Sequence, residues 1–168
     1  MTSNPLDKQR IRGWKKLPPM PGGVREGHGC CEIDDHRMII LGGKDADGNV
    51  LSSNFIYDAR SKQSTPLPND IPRARFWFSA VANKRFLFVI GGRGADYGPV
   101  NTVYRRSLET YQWTTLAPMR TARYGCADVL LDDYVYIFGG NIVIAMQQSQ
   151  LIATRLLVIP GMIYLTWQ

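Results

Sequence analysis

Three apolar runs punctuate the chain, and each ends in a pair of glycines. Met38-Ile39-Ile40-Leu41 leads into Gly42-Gly43, Phe86-Leu87-Phe88-Val89-Ile90 into Gly91-Gly92, and Tyr134-Val135-Tyr136-Ile137-Phe138 into Gly139-Gly140. Runs this short, rich in β-branched and aromatic residues, predict strands buried on both faces. Polar groups stand just ahead of each run and predict tight turns: Asp34-Asp35-His36, Asn83-Lys84 and Asp132-Asp133. The glycine pairs lie 49 and 48 residues apart, the spacing of a repeated supersecondary unit.

Independent markers keep the same register. Arg25, Arg75 and Arg123 precede the three glycine pairs by 17, 16 and 16 residues. Trp14, Leu17 and Met20 recur as Trp113, Leu116 and Met119 with identical internal spacing. Each unit reads as four short strands, predicted in the first near Gly29–Ile33, Arg37–Leu41, Asn54–Tyr57 and Lys62–Pro66. Lacking a Cβ, the paired glycines permit positive φ or a close backbone approach where each strand ends.

On these markers the chain resembles the kelch-repeat family. The family pattern is a strand ending in Gly-Gly, a Tyr-Asp strand, a Trp six residues before a Met, and then an Arg. The second repeat carries Gly91-Gly92, Val103-Tyr104, Trp113, Met119 and Arg123. The first carries Gly42-Gly43, Tyr57-Asp58 and Arg75, with Gln63 or Ser64 where the Trp is expected. Arg105 follows Tyr104 in place of the Asp.

The resemblance covers Trp14 to Asn141 and implies an all-β fold, an unclosed kelch-type β-propeller fragment. It should hold about two full four-stranded blades plus partial blades. Residues 1–13 then form a basic tail, 14–141 the kelch repeats, and 142–168 a divergent apolar segment. The three glycine pairs, the aromatics Trp14, Tyr57, Tyr104 and Trp113, and the arginines Arg25, Arg75 and Arg123 are expected to hold the blades together. Six blades would need roughly 300 residues at this period. The chain is therefore expected to be part of a longer propeller, or to complete a ring by self-association.

Composition is that of a globular protein, with 45% hydrophobic and 20% charged residues. The formal charge of +6 is uneven: Lys8, Arg10, Arg12, Lys15 and Lys16 crowd the start. A solvated tail is the favoured reading, because only Trp14 interleaves these charges. An arm for nucleic acid or an anionic membrane surface is the alternative. Cys30, Cys31 and Cys126 lack the C-x-x-C spacing of a zinc or redox site and read as small buried thiols of a reducing compartment. Met1 to Arg10 lacks a signal-peptide apolar stretch, and Pro160 and Gly161 interrupt the apolar Leu156 to Trp167. A soluble cytoplasmic or nuclear protein, with no membrane partner, is the expectation.

Strand parity gathers the long loops on one face: Lys44 to Leu51, Leu67 to Arg75, Arg93 to Val100, and Pro118 to Arg123. Arg73, Arg93 and Arg120, with Tyr97 as an aromatic anchor, are the candidate contacts there, joined less strongly by Arg75 and Arg123. Clustered arginines suit an acidic or phosphorylated segment of another protein. Enzymatic readings have thinner support. His28 and His36 are the two histidines, placed on opposite faces, too few for a copper oxidase or a Ser-His-Asp arrangement. Carbohydrate chemistry has no signature here. Asp45-Ala46-Asp47-Gly48-Asn49 resembles a calcium loop with a misplaced Gly, and Gly92-Arg93-Gly94 has no helix after it. No catalytic, metal or cofactor residue is expected. The resemblance implies a non-enzymatic module that binds protein, as a scaffold or a recruiter of substrates.

Overall fold

The computed structural model describes residues 14, 16–131 and 134–142. The basic tail, Lys15, the Asp132-Asp133 turn and the apolar segment from 143 onward lie outside the described residues. Ten strands and no helices make up the described part. Strands β1 (Gly29–Glu32), β2 (Arg37–Leu41), β3 (Asn54–Asp58) and β4 (Gln63–Pro66) form one antiparallel sheet in sequence order. Strands β5 (Ser79–Ala82), β6 (Phe86–Ile90), β7 (Val103–Ser107) and β8 (Trp113–Leu116) form a second. Strands β9 (Ala127–Leu131) and β10 (Tyr134–Phe138) pair as a third. The sheets are successive blades of an unclosed propeller. They approach one another along β1, β5 and β9, which are therefore the innermost strands.

The all-apolar runs take their places for the predicted reason. In β6, Leu87 and Val89 face the first blade and pack with Ile39, Leu41, Phe78 and Tyr104. Phe88 and Ile90 face the third and pack with Val103, Met119, Val135 and Ile137. Each fully buried aliphatic side chain contributes roughly 1.5–3 kcal/mol. A polar residue at any of these β6 positions would enter an interblade core.

The turns between strands are closed by short polar side chains. Asp34 accepts from the amides of His36 and Arg37, and Asn83 does the same for Arg85 and Phe86. Asp58 accepts from Arg60 and Ser61, and the Ser107 hydroxyl from Glu109 and Thr110. These local bonds stop the strands and set the hairpins.

That last equivalence corrects the register read from sequence. Phe55 pairs with Ile40 and Tyr104 with Val89, each two residues ahead of its glycine pair. Tyr104 therefore matches Phe55, and the Tyr57-Asp58 position of the second blade is held by Arg106-Ser107. Ser64, not Gln63, stands at the Trp113 position, since it pairs with Tyr57 as Trp113 pairs with Arg106. Arg106 is fully buried and reaches into the first blade, donating to the Asn54 side chain and the Pro68 carbonyl.

A second correction concerns Trp14 to Met20, expected from its match to Trp113–Met119 to be the lone fourth strand of a preceding blade; its described residues, 14 and 16–20, form no strand. Trp14 is wholly exposed and Leu17 half exposed. A fourth strand needs a third strand beside it, and among the described residues none pairs with this segment. Trp14 thus does not pack as Trp113 does. The Trp113 indole donates to the Asn69 carbonyl at 2.8 Å across the blade boundary and meets the Tyr104 ring edge-on.

Candidate partner-binding face

The meander places the β2–β3 and β6–β7 loops on the same face as the β4–β5 and β8–β9 connections. Two classes of arginine stand on it, separated by where their guanidinium groups end. Arg25, Arg75 and Arg123 turn inward. Their Nη1 atoms donate to the carbonyls of Gly42, Gly91 and Gly139 at 3.0, 2.9 and 2.8 Å. Arg25 continues to the Ser53 hydroxyl and Arg75 to that of Thr102, at 2.8 and 3.0 Å. Arg25 lies over the Phe55 ring and Arg75 over that of Tyr104, so an aromatic floor repeats as well. Burial pulls the Arg75 guanidinium down to about 10.

The backbone of the same arginines ties blade to blade. The Arg75 carbonyl accepts from the Gly43 amide at 2.8 Å, and the Arg123 carbonyl from Gly92 at 2.9 Å. A Cβ on Gly91 would stand 2.6 Å from the Arg123 oxygen, and both glycines have positive φ, 62° and 97°. Only glycine fits that approach.

The proposed contact residues separate likewise. Arg73 and Arg120 are exposed in the two interblade connections. Arg73 lines a cleft of about 430 Å³ with Gly94, Ala95, Asp96 and Val100. Arg93 and Tyr97 come together: Arg93 Nε donates to the Tyr97 carbonyl at 2.5 Å. The Tyr97 hydroxyl crosses to the first blade and donates to Gly48 O at 2.7 Å.

Four residues missed in sequence complete this cluster: Lys44, Phe76, Trp77 and Tyr124. Lys44 Nζ lies 4.9 Å from the Phe76 ring centre, 5.6 Å from Trp77 and 5.7 Å from Tyr97. The Arg93 guanidinium lies 4.9 Å from the Tyr124 ring and about 6 Å from the other three. Trp77 and Tyr124 stack at 5.7 Å with 19° between their planes. A signal was available in the register. Lys44, Arg93 and Asn141 each follow a glycine pair directly, and Phe76-Trp77 and Tyr124-Gly125 directly follow the repeated arginine.

Backbone ladders hold the cluster. Lys44 pairs with Glu26, Arg93 with Phe76 and Asn141 with Tyr124 as isolated bridges just beyond the innermost strands. Trp77 N donates to Gly27 O, and Gly125 N to Trp77 O, both at 2.8 Å, linking the three blades. The cluster therefore sits at the axial mouth of the long-loop face, on rigid supports. Lys44 is paired with Glu26 at 3.4 Å. Among the described residues no three His, Cys, Asp or Glu side chains converge as metal ligands.

Comparison with known proteins agrees with this architecture. Residues 27–156 match the model of the KLHDC2/KLHL20/DRC7 Kelch-repeats domain. The chain is 26% identical to F-box/kelch-repeat protein At1g67480 of Arabidopsis thaliana over 137 residues, covering 81% of this chain and 36% of that protein. It is 32% identical to Kelch-like protein 25 of Xenopus tropicalis over 111 residues, 66% of this chain and 18% of the other. With Kelch-like protein 36 of Mus musculus it shares 30% identity over 133 residues, 76% and 21% of the two lengths. The aligned part thus spans between 18% and 36% of these curated relatives.

Proposed function

The chain belongs to the kelch-repeat family, and from that premise we propose that it is a non-enzymatic protein-interaction module, a scaffold or recruiter that grips another protein on its long-loop face. The observation that carries this reading is the axial cluster. Two cations and a set of aromatic rings, of which Trp77 and Tyr97 are exposed, are presented together on a bridged backbone, the composition favoured where binding energy concentrates. Arg73, Arg93 and Arg120 are the cations this reading offers to an acidic or phosphorylated segment of the partner, beside Asp45, Asp47, Asp70 and Asp96 of the same loops. Arg75 and Arg123 are assigned to blade cohesion instead, because their guanidinium groups are spent on glycine carbonyls. Three free thiols suit a reducing compartment, cytoplasm or nucleus.

The test is capture of binding proteins by the immobilised chain, compared with Arg93→Glu and Tyr97→Ala proteins shown by circular dichroism to be folded. The expected result is loss of at least tenfold in captured partner with Arg93→Glu, and a capture that weakens as salt rises. Equal capture by all three proteins at low salt refutes the reading.

A further inference from the structure

We infer that Trp77 is the anchor of this face, and that its occupant is an extended peptide segment bearing an Asp or Glu next to an apolar side chain. The inference rests on the reading of the long-loop face given above and names the chemistry of its centre. Its first support is conformational. Positions 27, 77 and 125 are equivalent in the three blades, each two residues after the repeated arginine, and their φ angles are 62°, 53° and 64°. Two of the three are glycine; the third is tryptophan. A bulky residue held in the left-handed region is strained, and such strain persists where the surroundings impose it, often at binding sites.

The second support is exposure. The Trp77 side chain is not consumed by a core: the residue is 37% exposed, although both its backbone polar groups are bonded to neighbouring blades. A Cβ on Gly27 would stand 2.4 Å from its Cδ1, and the ring stacks on Tyr124, so the indole is held in place while part of it stays open at the mouth. The third support is charge. Lys44 and Arg93 already lie against these rings, so a cationic ligand would meet like charges there. Lys44 is balanced by Glu26. Among the described residues no carboxylate stands within ion-pair distance of Arg93; its Nε donates to a carbonyl and its guanidinium lies near four aromatic rings. A fork-shaped cation beside a part-exposed indole fits a carboxylate with a neighbouring apolar group.

The test uses a displayed library of random peptides selected on the 168-residue chain. Synthetic peptides of the enriched consensus are then titrated by fluorescence polarisation. The expected consensus places Asp or Glu beside an apolar residue. Trp77→Gly, which matches the other two blades, is expected to weaken binding at least tenfold with a melting midpoint no lower than the wild type's. Arg93→Gln is expected to abolish the preference for the acidic peptide over its amide analogue, and Arg60→Gln, on the opposite face, to change nothing.

A consensus without an acidic residue overturns the inference, as does wild-type affinity in Trp77→Gly. Tenfold tighter binding of a phosphoserine version than of the carboxylate version overturns the assignment to carboxylate. If Arg73→Glu or Arg120→Glu abolishes binding while Trp77→Gly does not, the face stands and this centre falls. If no substitution on the face matters, both fall.

Discussion

Arg75 and Arg93 follow one another on the same face of the same blade, yet the first is buried under its own glycine turn and the second is not. Arg75→Ala strips the partners from Gly91 O and the Thr102 hydroxyl and empties the space over Tyr104. The expected loss is about 3 kcal/mol, read as a lower urea midpoint with an unchanged slope. Asp128, on β9, behaves in the opposite sense: burial pushes its carboxyl up to about 6, above the unfolded value of 3.8. The folded state therefore binds more protons between those values, and stability falls as pH rises through that window. Asp128→Asn is expected to raise the melting midpoint at pH 7 and to give no gain at pH 3, by thermal denaturation at both pH values. The arginines and glycines of the repeat were legible because they recur at a fixed interval. Tyr104 was assigned to the wrong position because Tyr104 and Arg106 share one side of β7, and residue type alone does not separate neighbours on one side; strand pairing does. Trp77 was invisible for a related reason. Between Phe76 and Phe78 an indole reads as core, and only its φ and exposure reveal otherwise.

Among the elements, β6 shows why the period could be read at all. Both its sides are committed to interblade cores, so its whole length must be apolar, and the following turn must pass under the next blade. Gly92→Val tests that turn. The substituted Cβ would stand 2.7 Å from Phe78 Cβ at a φ of 97°, and the expected cost exceeds about 3 kcal/mol in a chemical unfolding titration. Strand ends were legible to within a residue, since Asp58 and Gln63 bound a turn whose chemistry is local. The Trp14 segment was not, because a strand exists only with a neighbour to pair with, and that requirement is absent from its own residues.

For the molecule as a whole, the blades are coupled in series through two cores and through backbone bonds at the loop face. Arrays of this kind open at their weakest boundary unless the boundaries are strong relative to the units. The amides of Gly43, Gly92, Trp77 and Gly125 all donate across a boundary. They are expected to exchange with solvent deuterium together and as slowly as the centre of β6, in a native-state exchange experiment. Earlier exchange at Gly43 than at Gly92 would mean that the first blade opens alone. The face on which a partner is proposed to dock was legible from strand parity, whereas its centre required knowing which loops meet at the axis. Trp77 gives its amide hydrogen to one flanking sheet and receives one at its carbonyl from the other. Both seams of the middle blade thus converge on a single residue, which serves as a keystone: a weight resting on that indole bears on three sheets at once and is carried as stiffness along both seams.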